Sequence, residues 1–158
     1  MILFHTSSEI IERPDVLHSR ENLDFGRGFY LTALREQAVR YGERFTRRGK
    51  AAYLNEYELD EEIEDFKIKT FSVYSEEWLD YVAACRKGEM HNTQFDAVAG
   101  GVANDKVFNT IDLYFAGMIT KDEALGRLAF EEANHQICIL NNDMLERHLH
   151  FIKAERLD

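Results

Sequence analysis

Asp24-Phe25-Gly26-Arg27-Gly28-Phe29-Tyr30-Leu31-Thr32 sets two glycines directly before a short apolar run. The order decides what this turn can be. In a dinucleotide-binding turn the glycines follow a strand, open a helix and are completed by a third glycine. Here they precede a strand running from Phe29 to Thr32, and no third glycine follows at that spacing. A Rossmann turn and a phosphate loop are both excluded. Downstream, Thr32 is expected to cap a helix to about Arg48, with Leu34, Ala38, Tyr41 and Phe45 along one face. Gly49 stops it.

Working outward, residues 18–27 are polar and turn-rich, and Ser7 or Ser8 is placed to cap a brief helix that Pro14 ends. Met1 to His5 reads as a short buried strand. On the other side, Ala51 to Leu59 and Phe66 to Phe71 read as strands joined by an acidic turn. Ser75 opens a helix to about Lys87, Phe95 to Ala99 is a short strand before Gly100-Gly101, and Asn104 caps a helix to Ala116. Thr120 and Glu123 have the spacing of a capping box for a helix to about Glu132. Gln136 to Leu140 and Leu149 to Ala154 read as strands flanking a turn of helix near Asp143. Neither a repeat nor a linker interrupts the pattern. The expectation is one α+β domain over residues 1–158, with six or seven short strands.

Composition agrees with that class. The chain has 158 residues, 45% hydrophobic and 30% charged, an ordinary globular balance. A chain of this length buries enough surface for a core without staples. Cys85 and Cys138 both sit in apolar patterns, so a disulfide scaffold is not expected. No apolar run reaches the length of a membrane span and no signal pattern opens the chain, so a cytoplasmic protein with no membrane partner is expected.

The net charge of −10 argues against broad binding to nucleic acid. It is unevenly spread, however. Residues 56–65 carry Glu56, Glu58, Asp60, Glu61, Glu62, Glu64 and Asp65 without a cation, whereas residues 35–50 hold a local excess of positive charge. Arg40, Arg44, Arg47 and Arg48 share one helical face. That stripe is either a solvated surface or a contact for NAD pyrophosphate, nucleic acid or an acidic partner.

Most familiar catalytic patterns are missing. There is no Gly-x-Ser-x-Gly elbow, and neither cysteine has a histidine beside it to activate it. His148 and His150 share one face of an expected strand but lack a third ligand, so exposed polar positions are favoured over a zinc site, and no metal is expected.

Three segments remain: Leu3-Phe4-His5-Thr6-Ser7, Gly26-Arg27-Gly28-Phe29-Tyr30-Leu31-Thr32 and Asn134-His135-Gln136-Ile137-Cys138-Ile139-Leu140. In order and character they resemble the three motifs of diphtheria-toxin-like and poly(ADP-ribose)-polymerase-like ADP-ribosyltransferases. His5 matches the first motif and Tyr30 the second, and Tyr41 follows Tyr30 at the family's spacing for a second stacking tyrosine. The third motif departs, with Gln136 standing where the family has Glu. The Asp24 to Thr32 pattern with a late Gln also resembles a bacterial family of unassigned domains often discussed as toxins of toxin–antitoxin pairs.

The resemblance implies two small packed antiparallel sheets flanked by helices. It also implies a mono-ADP-ribosyltransferase using NAD as donor, with an unidentified protein or nucleic-acid acceptor and an antitoxin as a further partner; the oligomeric state stays open. His5, Tyr30 and Gln136 would be catalytic. NAD would be held by His5, Thr6, Ser7, Arg20, Arg27, Gly28, Tyr30, Thr32 and Tyr41. The residue types suit such chemistry. Two tyrosine faces can sandwich a cationic nicotinamide ring, and a strand-end histidine can bond a ribose hydroxyl. Loss of nicotinamide leaves a cationic ribose, which a carboxylate stabilises well. Gln136 offers only an amide dipole, so a cleft that binds NAD or ADP-ribose without transfer is the alternative. A plain α+β interaction domain, with all these residues structural, is the third.

Overall fold

A computed structural model describes residues 1–19, 21, 23–89, 94–101, 105–129 and 135–158. Its elements run β1 (Ile2–Ser7), β2 (Phe29–Leu31), α1 (Arg35–Thr46), β3 (Ala52–Leu59), β4 (Ile68–Thr70), α2 (Glu76–Arg86), β5 (Ala97–Gly100), α3 (Asp105–Phe115), α4 (Lys121–Leu128), β6 (Gln136–Ile139), α5 (Asn142–His148) and β7 (Leu149–Leu157). The protein is α+β. Among the described residues, no helix is long and apolar enough to cross a membrane.

The strands form two sheets. The first is antiparallel with order β1-β3-β7, and the second has order β2-β6-β5-β4. Antiparallel pairing was expected throughout, but β4 joins β5 in parallel. The cause is the connection: α2 carries the chain from β4 back to the start of β5, and only such a crossover can align two neighbours in the same direction. The strands expected around the acidic turn therefore belong to different sheets. Residues 60–67 take the chain out of the first sheet and into the far edge of the second.

The central strands of the second sheet read as continuous apolar runs because both of their faces are covered. Val98 and Cys138 point into a core with Trp78, Leu79, Val82, Val107, Ile111 and Leu128 from α2, α3 and α4. Ala97, Ala99, Ile137 and Ile139 point the other way, against Leu3, Tyr57, Leu145 and Leu149. A third small cluster of Phe4, Leu54 and Ala38 fixes α1 on the outer face of the first sheet. The layers are thus helices, second sheet, first sheet and α1. Cys85 and Cys138 are buried as free thiols.

Three local expectations are corrected. No helix follows Ser7 or Ser8. Instead the Asn55 side chain accepts from the Ile11 amide at 2.9 Å and donates to the Glu9 carbonyl at 3.1 Å, while the Tyr57 hydroxyl donates to the Ile11 carbonyl at 2.6 Å. These bonds hold the segment open along β3, and only a single short turn at Val16–His18 follows Pro14. Second, Leu34 rather than Thr32 occupies the N-cap of α1, without a side-chain cap bond. Third, α1 fully buries only Ala38 of the stripe expected of it. Ala38 and Gly42 face the sheet, and a Cβ at Gly42 would lie 2.8 Å from Leu157. Leu34 and Tyr41 are about half exposed, at 46% and 47%. The small residues allow the helix to sit close, which turns the larger ones outward.

The other helix starts are as expected. Ser75 accepts from the Trp78 amide, and Thr120 with Glu123 forms a complete capping box. The expected cap Asn104 lies outside the described residues.

Candidate active site

β1 and β2 meet at one rung. The Phe4 amide donates to the Thr32 carbonyl at 2.8 Å, and the Thr32 amide donates back at 3.0 Å. Beyond this bridge β1 pairs with β3, and β2 with β6, so the two sheets separate. The His5 side chain lies beside this rung. Its Nδ1 is 2.7 Å from the Tyr30 carbonyl oxygen, and its ring stacks on Phe29 at 4.3 Å between centroids. A carbonyl can only accept, so Nδ1 carries the proton and Nε2 keeps its lone pair. Burial pushes the imidazole below its usual 6.5, partly offset by the Tyr30 carbonyl. His5 is therefore a neutral acceptor near pH 7.

Tyr30 is held by its own turn. Its hydroxyl donates to the Gly26 carbonyl and accepts from the Phe25 amide. Burial raises its pKa well above the ordinary phenol value, with Cys138 adding to the effect. The turn needs Gly26, whose φ is +85°. Gly28 is needed for a different reason. A Cβ there would lie 2.5 Å from the Cys138 sulfur and 2.7 Å from the Ile139 carbonyl oxygen. Its amide donates to the Ser19 hydroxyl at 2.9 Å. Arg27 meets Glu21 at 3.3 Å on the surface, and Arg20 lies outside the described residues.

Thr6 is buried and donates from its hydroxyl to the Ala38 carbonyl at 2.6 Å, which ties β1 to α1. The Ser7 hydroxyl accepts from the Glu9 amide at 3.3 Å. Thr32 accepts from the Leu34 amide at 3.0 Å and donates to the His135 carbonyl at 2.8 Å. That bond joins the end of β2 to the start of β6. Gln136, the first residue of β6, is partly buried opposite Gly100, and the next residue, Ile137, pairs with Leu31. His5, the Tyr30 backbone, Thr32 and the start of β6 are gathered around the point where the sheets part.

Tyr41 is placed elsewhere, on the outer surface of α1. It meets Phe45 edge-on at 6.0 Å, and the Arg44 guanidinium lies over its ring at 4.6 Å. No ring contact joins Tyr30 to Tyr41 among the described residues. The arginine stripe is partly engaged within the helix, with Arg47 bonded to Glu43 at 2.9 Å. Arg40 lines a hollow of about 350 Å³ with Leu34, Arg35 and Gln37 at the start of α1.

His148 and His150 both turn to Asp60, at 2.9 and 3.0 Å. His148 ends α5 rather than sharing a strand with His150, because the helix continues to that residue. Among the described residues, no three His, Cys, Asp or Glu side chains gather to hold a metal ion. Asn55 and the Asp24–Arg86 ion pair organise the neighbourhood without having been singled out from sequence as partners. The Asp24 and Arg86 contact spans 62 residues, a separation that no local spacing rule reads.

The profile of a family described as a protein of unknown function (DUF3990) matches residues 1–151, and the chain belongs to that family. No curated protein and no solved structure matches the chain.

Proposed function

We propose that this member of the DUF3990 family is an ADP-ribosyltransferase-like protein that takes NAD where its two sheets part. The observation that carries the proposal is the fixed tautomer of His5 at that opening. Nδ1 donates to the Tyr30 carbonyl, which leaves Nε2 to accept a ribose hydroxyl. The main chain of Thr6 would hold the carboxamide, and Tyr30 would act through the carbonyl that orients His5, since its ring packs on the helical side of the sheet. Gln136 would orient a ribose hydroxyl through its amide oxygen. Tyr41, exposed on the outer face of α1, would not form a stack with Tyr30. The resemblance to toxins implies a macromolecular acceptor in the cell and an acidic antitoxin as partner.

The glutamine favours a second reading from the same cleft. A ribose that becomes cationic gains less from an amide dipole than from a full negative charge. Binding of NAD or ADP-ribose without transfer follows if the acceptor needs an activated nucleophile. Incubation with labelled NAD and a bacterial lysate separates the two. Transfer predicts label on a protein or nucleic-acid band with the native chain and none with His5→Ala/Tyr30→Ala. The binding-only protein predicts no label, together with increased NAD hydrolysis once Gln136→Glu restores the carboxylate.

A further inference from the structure

Among the described residues, Asp24 is the one charged side chain that is buried, at 9% exposure. It lies in the turn that precedes β2 and faces the helical layer rather than the sheet opening. One of its carboxylate oxygens, Oδ1, accepts from Arg86 Nε at 2.8 Å and Nη2 at 2.7 Å. Arg86 is the last residue of α2, and its guanidinium lies over the Phe108 ring of α3 at 4.3 Å. The turn, α2 and α3 therefore converge on one ion pair.

Close packing does not hold the turn at this place. A cavity of about 280 Å³, lined by Leu23, Asp24, Arg86, Lys87, Phe108 and Phe115, opens beside the pair. On the other side, Phe25 is 1% exposed in the core and Tyr30 bonds the turn's backbone. Phe25 anchors the turn in the core, and the neighbouring Asp24 ties it to α2. Arg27 contrasts with both. Its contact with Glu21 is a surface pair, a kind that contributes little and breaks readily. The backbone of the turn is thus held firmly while its exposed arginine is free to change partners.

We propose that the Asp24–Arg86 pair positions the Gly26–Gly28 turn so that Arg27 can meet the pyrophosphate of NAD. Asp24 and Arg86 are positioning residues: neither touches the ligand. The proposal rests on the NAD reading given above for the ligand, and on the ion-pair geometry for the mechanical part.

Two readouts separate these parts. Amide hydrogen exchange follows Phe25, Gly26 and Gly28, whose amides bond to Tyr30, Leu23 and Ser19. Calorimetry follows NAD affinity. The variants are Asp24→Asn, which keeps shape and removes charge, and Arg86→Lys, which keeps charge and removes the planar fork. The expected result is exchange at these three amides faster by about tenfold, with β5 and β6 amides unchanged, and NAD affinity weaker by about tenfold. Unchanged exchange at the turn in both variants overturns the proposal whatever NAD does. Faster exchange with native NAD affinity also overturns it, since the turn would then be held for another purpose. If the native chain binds no NAD, the NAD reading fails and takes the pyrophosphate role with it, while the exchange data still report whether the pair holds the turn.

Discussion

An imidazole that gives its only proton to a main-chain carbonyl has one lone pair left, and at His5 that lone pair is what a ribose hydroxyl would meet. The same geometry fixes its pH behaviour. Burial lowers the folded-state pKa below the usual 6.5, so the unfolded chain binds a proton before the folded one does. The stability His5 contributes is therefore complete above that value and is lost as pH falls through the lower folded value. Its ring resonances in an NMR titration are expected to move at a midpoint below 6.5; a midpoint above it would mean that the buried, carbonyl-bonded tautomer is wrong. Gly28 makes a steric prediction. An added methyl meets the Cys138 sulfur and the Ile139 carbonyl at once, and backbone cannot yield as a flexible side chain can. Gly28→Ala is expected to destabilise the protein by about 1–3 kcal/mol in denaturant melts, the range of overpacking substitutions. The sequence marks both residues, because a glycine beside a strand and a polar residue at a strand end each break a local pattern. It does not reveal why Gly28 is there: the atoms it admits lie 110 or more positions along the chain.

At the scale of elements, strand and helix positions were legible wherever local chemistry sets them. Ser75 and Thr120 start their helices by bonding free amides, and those signals sit within three residues of the helices they start. Helix α1 shows where such reasoning stops. Its hydrophobic stripe named Leu34, Ala38, Tyr41 and Phe45, but Ala38 makes the contact together with Gly42, because closeness to the sheet gains more than size does. The absent helix after Ser8 has a similar origin: Asn55, fully buried and 44 residues from Ile11, supplies the hydrogen bonds that a helix would have made internally. Pairing was harder still. That β4 would leave β3 and align with β5 depends on how α2 packs, a fact stored in the core rather than in either strand. The candidate site inherits this division. His5, Thr32 and Gln136 could be named from sequence, whereas the exposed place of Tyr41 follows from the rotation of α1.

For the whole molecule, the first sheet closes on itself through charge as well as apolar contact. Asp60 follows β3 and bonds both His148 and His150, so it joins β3 to α5 and β7. The His148 bond, with His150 adding to it, holds the Asp60 carboxyl below its ordinary 3.8. The sign follows directly: a lowered carboxylate stabilises the fold above its unfolded pKa, and that contribution fades as pH drops through the folded value. Asp60→Asn is expected to flatten the acid limb of a stability profile below about pH 4. An unchanged acid limb would show that the two histidines do not perturb Asp60. The account as a whole depends on the place where the two sheets separate, beside the rung that joins β1 to β2 and the His5 ring. Its most direct test is a calorimetric titration of NAD into the native chain and into His5→Phe, which keeps a ring against Phe29 but carries no acceptor. The account predicts binding by the native chain, and an affinity lower by about tenfold or more in a variant that still melts cooperatively. No binding by the native chain, or equal binding by both, would contradict it.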